Sequence, residues 1–379
     1  MTQAPRALMP DYLRLFALFG IVVVNVLGIA FSFEKSLFES AGETLADAVA
    51  VWLVYGIALM KSYGLFSFMF GVGLGFLMQA SARKGLAFGK LYRNRMIGLL
   101  LLGLAHGFLF FPGDILVTYA VFGAILYFMR NWPVKRLVWV GGIILAIQIA
   151  IVGPLTGLGI AYSETYGIED EFLMLAQERA VLTGGTFWEA MAFRTTLYLT
   201  YLPLILLGQG FVVLGWFCLG LAAVKGAVID DPDHRVWQRA RRYFLVPGVL
   251  ASLFGAWAWQ FGDLATGMAI TTSAAPVATI GYLGVIAALS RPPGLFMKKA
   301  LAAGGNSLSI YLGQSIILST VFSAYGLGLW DSLGHAEAIL LAILVTVALM
   351  VALSIWRQFF AVGPFEWVLR RITYAGTGR

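Results

Sequence analysis

The stretch MIGLLLLGLAHGFLFFPGDILVTYAVFGAILYFM, residues 96–129, decides how this chain is read. It consists of two apolar segments, 96–112 and 114–129, joined at Pro112-Gly113, and its only Asp, Glu, Lys, Arg or His residues are His106 and Asp114. A Pro-Gly pair ends one helix and turns the chain, so the spacing predicts a tight helical hairpin. About 20 apolar residues cross ~30 Å of hydrocarbon, and each arm comes close to that length.

The surrounding sequence has the same character. Of 379 residues 60% are apolar and only 12% charged, and the mean hydropathy is +0.85. A soluble domain carries roughly a quarter charged residues. A soluble cytoplasmic or secreted domain, a disordered chain and a disulfide scaffold are therefore excluded. The single cysteine, Cys218, can form neither an intramolecular disulfide nor a thiolate cluster for a metal. No metal-binding motif, Walker loop or nucleophile elbow is present. The chain reads as all-α: one integral membrane domain over residues 1–379, a polytopic transmembrane helical bundle.

Walking outward from the hairpin gives about ten spans: 12–32, 49–79, 96–112, 114–129, 135–161, 195–224, 243–261, 267–289, 305–327 and 336–360. The second is too long for one straight crossing, so 49–60 reads as an interfacial or re-entrant piece. Residues 1–11 lead into an uncleaved first helix, with no small-residue cleavage site. Placing both termini in the cytoplasm puts loops 80–95, 130–134, 225–242 and 290–304 and the tail after 360 on that side. All but four of the 26 Lys and Arg residues then face the cytoplasm. The exceptions are Lys35, Arg179 and Arg194 on the other side and Lys61 within a span, the asymmetry that sets topology. Glu34, Glu39, Glu43 and Asp47 fall outside. The net charge of +7 belongs to these loops and does not imply nucleic acid, since no aromatic-rich soluble module accompanies it. The basic segment 80–95 has two readings: contact with anionic membrane lipids, or a dock for a cytosolic polyanion such as a nucleotide-bearing cofactor.

Polar groups inside spans are expensive and so informative. They are Asp11, Arg14 and Asn25 in span one, Lys61 in span two, His106 in span three and Asp114 at the start of span four. Gln209 follows in span six, and Asn306, Tyr311 and Gln314 in span nine. At 1.5 Å per residue, His106 lies near the midplane, where its imidazole either pins two helices or takes a proton in a water-lined cavity. Asp114 either caps the fourth helix or orients a partner. Lys61 either snorkels outward or pairs with Asp114 or Glu34. Asp11 and Arg14 share one helical face, as do Glu366 and Arg370. The run Phe70-Gly71-Val72-Gly73-Leu74-Gly75 sits within an apolar helix with no preceding strand, so it reads as close helix packing, not a dinucleotide fingerprint. The small-residue face Gly153-Pro-Leu-Thr-Gly157 suits internal packing or a homodimer.

Five motifs carry a resemblance. They are Asp11-Tyr-Leu-Arg14 leading to Gly20 and Asn25; Lys61 with Leu65-Phe-Ser-Phe-Met-Phe-Gly-Val-Gly73; and Gly103, His106 and Gly107 with Gly113-Asp-Ile-Leu116 and Tyr119. The remaining two are Asn306-Ser-Leu-Ser-Ile-Tyr-Leu-Gly-Gln-Ser315, and Trp356-Arg357 with Gly363-Pro-Phe-Glu-Trp367 and Arg370. Together they resemble the YeiB-like family of bacterial inner-membrane proteins, a domain of unknown function (DUF418). That family is similar to the transmembrane acyltransferases that include heparan-alpha-glucosaminide N-acetyltransferase. The resemblance implies a multi-pass protein of the bacterial inner membrane that takes an acyl group from cytosolic acyl-CoA to an unknown acceptor. It implies catalytic roles for His106, Asp114, Lys61 and Asn25. Donor binding would fall to Arg14, Asp11, Arg93, Arg95, Asn306 and Gln314, with no metal. The heparan enzyme's catalytic His follows its first helix, whereas residues 26–48 here contain none, so this reading requires His106 as base. A transporter or exporter of a small polar or lipidic molecule, and a lipid- or quinone-binding membrane protein, remain the alternatives.

Overall fold

The computed structural model describes residues 8–32, 35, 42, 44–166 and 169–376, with the side chains of 164–173 and of 296 left aside. Arg6, Glu34, Glu39 and Glu43 lie outside the described residues. Among those described, no residue is in a strand, and the protein is an all-α polytopic bundle. In chain order the helices are α1 (Met9–Ala30), α2 (Leu45–Leu53), α3 (Lys61–Arg83), α4 (Phe88–Leu109), α5 (Leu116–Met129), α6 (Val134–Ile147), α7 (Gly153–Tyr166), α8 (Glu169–Gly184), α9 (Phe187–Lys225), α10 (Arg235–Phe261), α11 (Leu264–Leu289), α12 (Leu295–Gly304), α13 (Ser307–Phe322), α14 (His335–Phe359) and α15 (Pro364–Tyr374).

Seven helical stretches are long and apolar enough to cross a membrane by themselves. The ten expected segments all lie in helices, but three fall short of that standard for identifiable reasons. α4 carries Lys90, Arg93 and Arg95 in its first turns. α5 has 14 residues and α13 has 16, and about 20 are needed. Both short helices are packed inside the bundle, each with a polar N-terminal approach: Asp114 before α5, and α12 with Asn306 before α13.

The over-long second stretch is broken. α2 passes into a π-helical turn at Val54–Ala58, Met60 is left-handed at φ 63°, and α3 begins at Lys61. A second π turn, Gln148–Val152, lies inside the span expected at 135–161, which remains one continuous helical stretch, Val134–Ser163, with α6 and α7 as its two halves. That turn changes partners: α6 packs on α9, whereas α7 packs on α11.

The glycine run of α3 does what close packing requires. A Cβ on Gly71 would strike the Phe217 carbonyl, and one on Gly220 of α9 would strike the Phe68 carbonyl, whereas Gly73 faces open space. The two backbones touch reciprocally at glycines, as in tightly packed membrane helices. Gly153 and Gly157 meet Ser273, Ala265 and Ala269 of α11, so the face considered for a homodimer is used internally.

At the cytoplasm-assigned end α15 docks on α4, with Leu369 and Ile372 against Gly98. Its Glu366 accepts the Leu308 and Ser309 amides at 2.7 and 3.0 Å, and also the Ser309 hydroxyl. This carboxylate caps α13 from another helix, and is not engaged with Arg370. Glu366→Ala is expected to cost about 2 kcal/mol, the worth of a charged cap whose loss strands buried amides. The result would be a lower detergent melting temperature; an unchanged one would remove the cap from the account. Nearby, Arg291 makes two hydrogen bonds to Asp233, at 2.8 and 2.5 Å. They hold the Asp233 carboxyl below its usual range. Both partners are exposed and screened by salt, so the tie orders this loop more than it stabilises the fold.

Candidate functional site

The expected hairpin is present: α4 ends at Leu109, and after residues 110–115 the chain returns as α5. Gly103 makes the close return possible, because a Cβ there would lie 2.7 Å from the Val117 nitrogen and 2.8 Å from Asp114 Oδ1. Asp114 takes the capping role considered for it, and it also meets His106, which its spacing did not require. Its Oδ1 accepts the Leu116 and Val117 amides at 2.8 and 3.2 Å, capping α5. Its Oδ2 lies 2.7 Å from His106 Nδ1. Both side chains are sealed, 2% and 0% exposed.

A carboxylate only accepts, so Nδ1 donates to it, and in the neutral imidazole Nε2 then keeps its lone pair. Nε2 is buried without a hydrogen-bond partner, and so is the hydroxyl of Tyr198, whose ring lies against Gly107. Leaving a buried polar atom unmatched costs about 1–3 kcal/mol, and such atoms call for an explanation. A third helix completes the group: the Tyr311 hydroxyl of α13 donates to Asp114 Oδ2 at 3.5 Å.

Two hollows flank this group. The larger, about 480 Å³, is lined by Asn25, Tyr119, Gln148, Gln209, Trp216 and Tyr311 among mostly apolar neighbours. The imidazole does not line it. However, the His106 ring centroid lies 5.2 Å from that of Tyr311 and 6.4 Å from that of Phe111, and both rings form part of the cavity wall. His106 is therefore one side-chain layer from the cavity. The smaller hollow, about 120 Å³, contains Arg14, Arg95, Tyr92, Phe66 and Ser307. Phe66 stacks toward Tyr119 at 6.2 Å and lies 6.4 Å from Tyr311. A three-ring layer thus separates the hollows.

The other expected site residues divide. Asn25 lines the larger cavity and has no hydrogen-bond partner among the described residues. Arg14 pairs with Asp11 at 2.8 Å, as their spacing implied. Arg95 joins Arg14 in the small hollow, but Arg93 lines a separate groove with Gly89, Met96 and Phe128. The basic segment expected as loop 80–95 is largely helix, and residues two apart on a helix point in nearly opposite directions. Arg93 and Arg95 therefore face different hollows.

Lys61 neither snorkels nor pairs with Asp114. It is fully buried and donates to the Tyr55 carbonyl at 3.1 Å. The π turn is the cause: the Leu59 amide bonds Val54, and Lys61 serves the carbonyl beside it. Asn306 accepts the Gly363 amide at 3.0 Å, and Gln314 donates to Thr346 at 2.8 Å. Both tie helices together and line neither hollow. Arg194, expected in an outer loop, is buried on α9 and holds the Leu109 carbonyl and Ser323 at 3.1 and 2.7 Å. Sequence reasoning did not single out Tyr198. Its only signal is a hydroxyl in an apolar stretch.

Fold and site together define a polytopic α-helical membrane protein with a sealed His–Asp pair between two hollows. Residues 223–376 match the model of the family described as "Protein of unknown function (DUF418)", the family that the motifs indicated. Over 390 residues the chain is 28% identical to "Uncharacterized protein YxaH" of Bacillus subtilis (strain 168), covering 96% of this chain and 93% of that one. It is 27% identical over 389 residues to "Uncharacterized protein YeiB" of Escherichia coli (strain K12), covering 97% and 96%. No solved structure matches.

Proposed function

We propose that the protein is a membrane-embedded acyltransferase. It would move an acyl group from cytosolic acyl-CoA to an acceptor at or across the bacterial inner membrane, with both termini in the cytoplasm. The observation that carries this reading is the unpartnered Nε2 of His106, fixed by Asp114 and one ring away from the larger cavity. In the reaction the acceptor hydroxyl attacks the thioester carbonyl while Nε2 takes its proton. As the C–S bond breaks, the imidazolium returns that proton to the departing thiolate. Asp114 holds the ring and its tautomer throughout, and Arg95 with Arg14 would receive an anionic part of the donor.

The test is calorimetry of acetyl-CoA binding to detergent-purified protein, with free CoA and ATP as controls. Binding is expected to weaken about tenfold or more in Arg95→Ala, the worth of one charge-assisted contact, and to change little in Arg93→Ala. Absence of binding at millimolar ligand would overturn the reading. A transporter is the second reading, favoured by the helix break at Met60 after the Val54–Ala58 π turn and by the π turn at Gln148–Val152, both of which border the cavity, since interrupted helices often form transport sites. Vesicle flux that needs no acyl donor would select it.

A further inference from the structure

The larger cavity is built for a particular chemical class. Its lining contains no Asp, Glu, Lys, Arg or His, so a phosphate or ammonium group placed there would meet no countercharge in a low-dielectric site. Its hydroxyls on Tyr63, Tyr119, Thr156, Thr279 and Tyr311 already bond within the protein, and it also offers the amides of Asn25, Gln148 and Gln209. Gln148 is only 5% exposed, and its Nε2 reaches the Thr272 carbonyl at 3.4 Å. Its Oε1 is buried with no partner. Asn25 lines the same space and has no hydrogen-bond partner among the described residues. An unmatched amide oxygen asks for an uncharged donor such as a hydroxyl.

The way in is visible as well. Because the π turn at Gln148–Val152 carries the chain from α9 to α11, α6 stays on α9 but α7 does not. The cavity reaches the surface in the resulting gap, at Gly208 and Gln209 on α9 and Val152 and Thr156 opposite. The mouth is surrounded by exposed Leu155 and Leu158 on α7 and by Leu204, Leu207 and Phe211 on α9. In a membrane those residues meet hydrocarbon, not water.

We infer that this cavity binds an uncharged, hydroxyl-bearing lipid that enters sideways from the bilayer between α7 and α9. The inferred binding stands on the lining and the gap; only the lipid's role as acyl acceptor rests on the acyltransferase reading. The hydroxyl donates to Gln148 or Asn25, the apolar wall takes the adjoining chain, and the tail stays in the gap.

The test uses Trp216, which lines the cavity and is 2% exposed. Dibrominated diacylglycerol is titrated into protein in nanodiscs, and the quenching lost in Trp216→Phe is taken as the cavity signal. Saturable quenching is expected with diacylglycerol and not with dibrominated phosphatidylglycerol. Gly208→Phe should weaken it at least tenfold: a Cβ at Gly208 meets nothing within 4 Å, so a ring can occupy the mouth without disturbing the fold. Gly142→Phe, equally open on α6, should leave it unchanged. Equal quenching by both lipids, or an unaffected Gly208→Phe, would overturn the inference. Should Trp216→Phe fail to fold, native mass spectrometry of retained diacylglycerol in wild type against Gly208→Phe decides the same point. Quenching without acetyl-CoA binding would sink the acyltransferase alone. Transfer to a water-soluble acceptor without quenching would sink the lipid site alone.

Discussion

Gly71→Leu should leave no monodisperse protein after detergent extraction, while Gly73→Leu two residues on, at the wall of the small hollow, should extract and elute as wild type. Their sequence contexts are almost identical, and the difference lies in what each faces. The place of a Gly71 Cβ is taken by the Phe217 carbonyl, and Gly220 meets the Phe68 carbonyl in return. Backbone cannot rotate away as a side chain can. A leucine would drive α3 and α9 apart along their shared length, and overpacking of a tight core typically costs about 1–3 kcal/mol. Backbone against backbone belongs at the upper end, a large part of a total stability of about 5–15 kcal/mol. The same separation would pull Phe217 from Phe70, now stacked at 4.3 Å, and displace the cavity wall. Size-exclusion profiles and melting curves of the two variants are the measurement. Equal behaviour would refute the close-contact account.

His106→Gln is expected to lower acyl transfer by about 10²–10⁴, the usual contribution of a positioned general base, with acetyl-CoA binding retained. Glutamine keeps a polar group of similar reach but has no basic lone pair. Asp114→Asn should lower transfer over a similar range for another reason. Its amide can present an N–H to the imidazole and favour the wrong tautomer, and it weakens the cap on α5 by about 1 kcal/mol. Tyr311→Phe removes one 3.5 Å contact and should matter far less. Single-turnover transfer measured beside binding separates these effects. Full activity in His106→Gln would remove this residue from the chemistry.

Much of this was legible in the sequence because lipid makes polar residues conspicuous. The hairpin followed from Pro112-Gly113, the Asp11–Arg14 pair from its spacing, and the α3 packing face from Gly71 and Gly75. The break before Lys61 was legible from length alone, with 49–60 read as a separate piece, but the π turns were hidden: a π turn needs neither proline nor a change in hydrophobicity, so Val54–Ala58 and Gln148–Val152 look like ordinary helix. Missing the first π turn misplaced Lys61, whose partner is the Tyr55 carbonyl that the turn exposes. Tyr311 reaches Asp114 across 197 positions, and no local pattern carries such a contact. The divergence of Arg93 from Arg95 could have been read, since helical geometry alone requires it once the segment is taken as helix.

The layer of Phe66, Tyr119 and Tyr311 has an electrical meaning. An energised membrane holds a voltage, and each elementary charge that falls through 100 mV releases about 2.3 kcal/mol. Joined end to end and reached by water from both faces, two such hollows would be a short circuit. Three rings between them, Phe66 stacked toward Tyr119 and tilted against Tyr311, act as a dielectric plug: an ion would have to shed its water to pass, whereas a neutral group needs only a ring to swing aside. On that basis the resting protein should add no measurable conductance to a bilayer, and Phe66 is where a leak would begin.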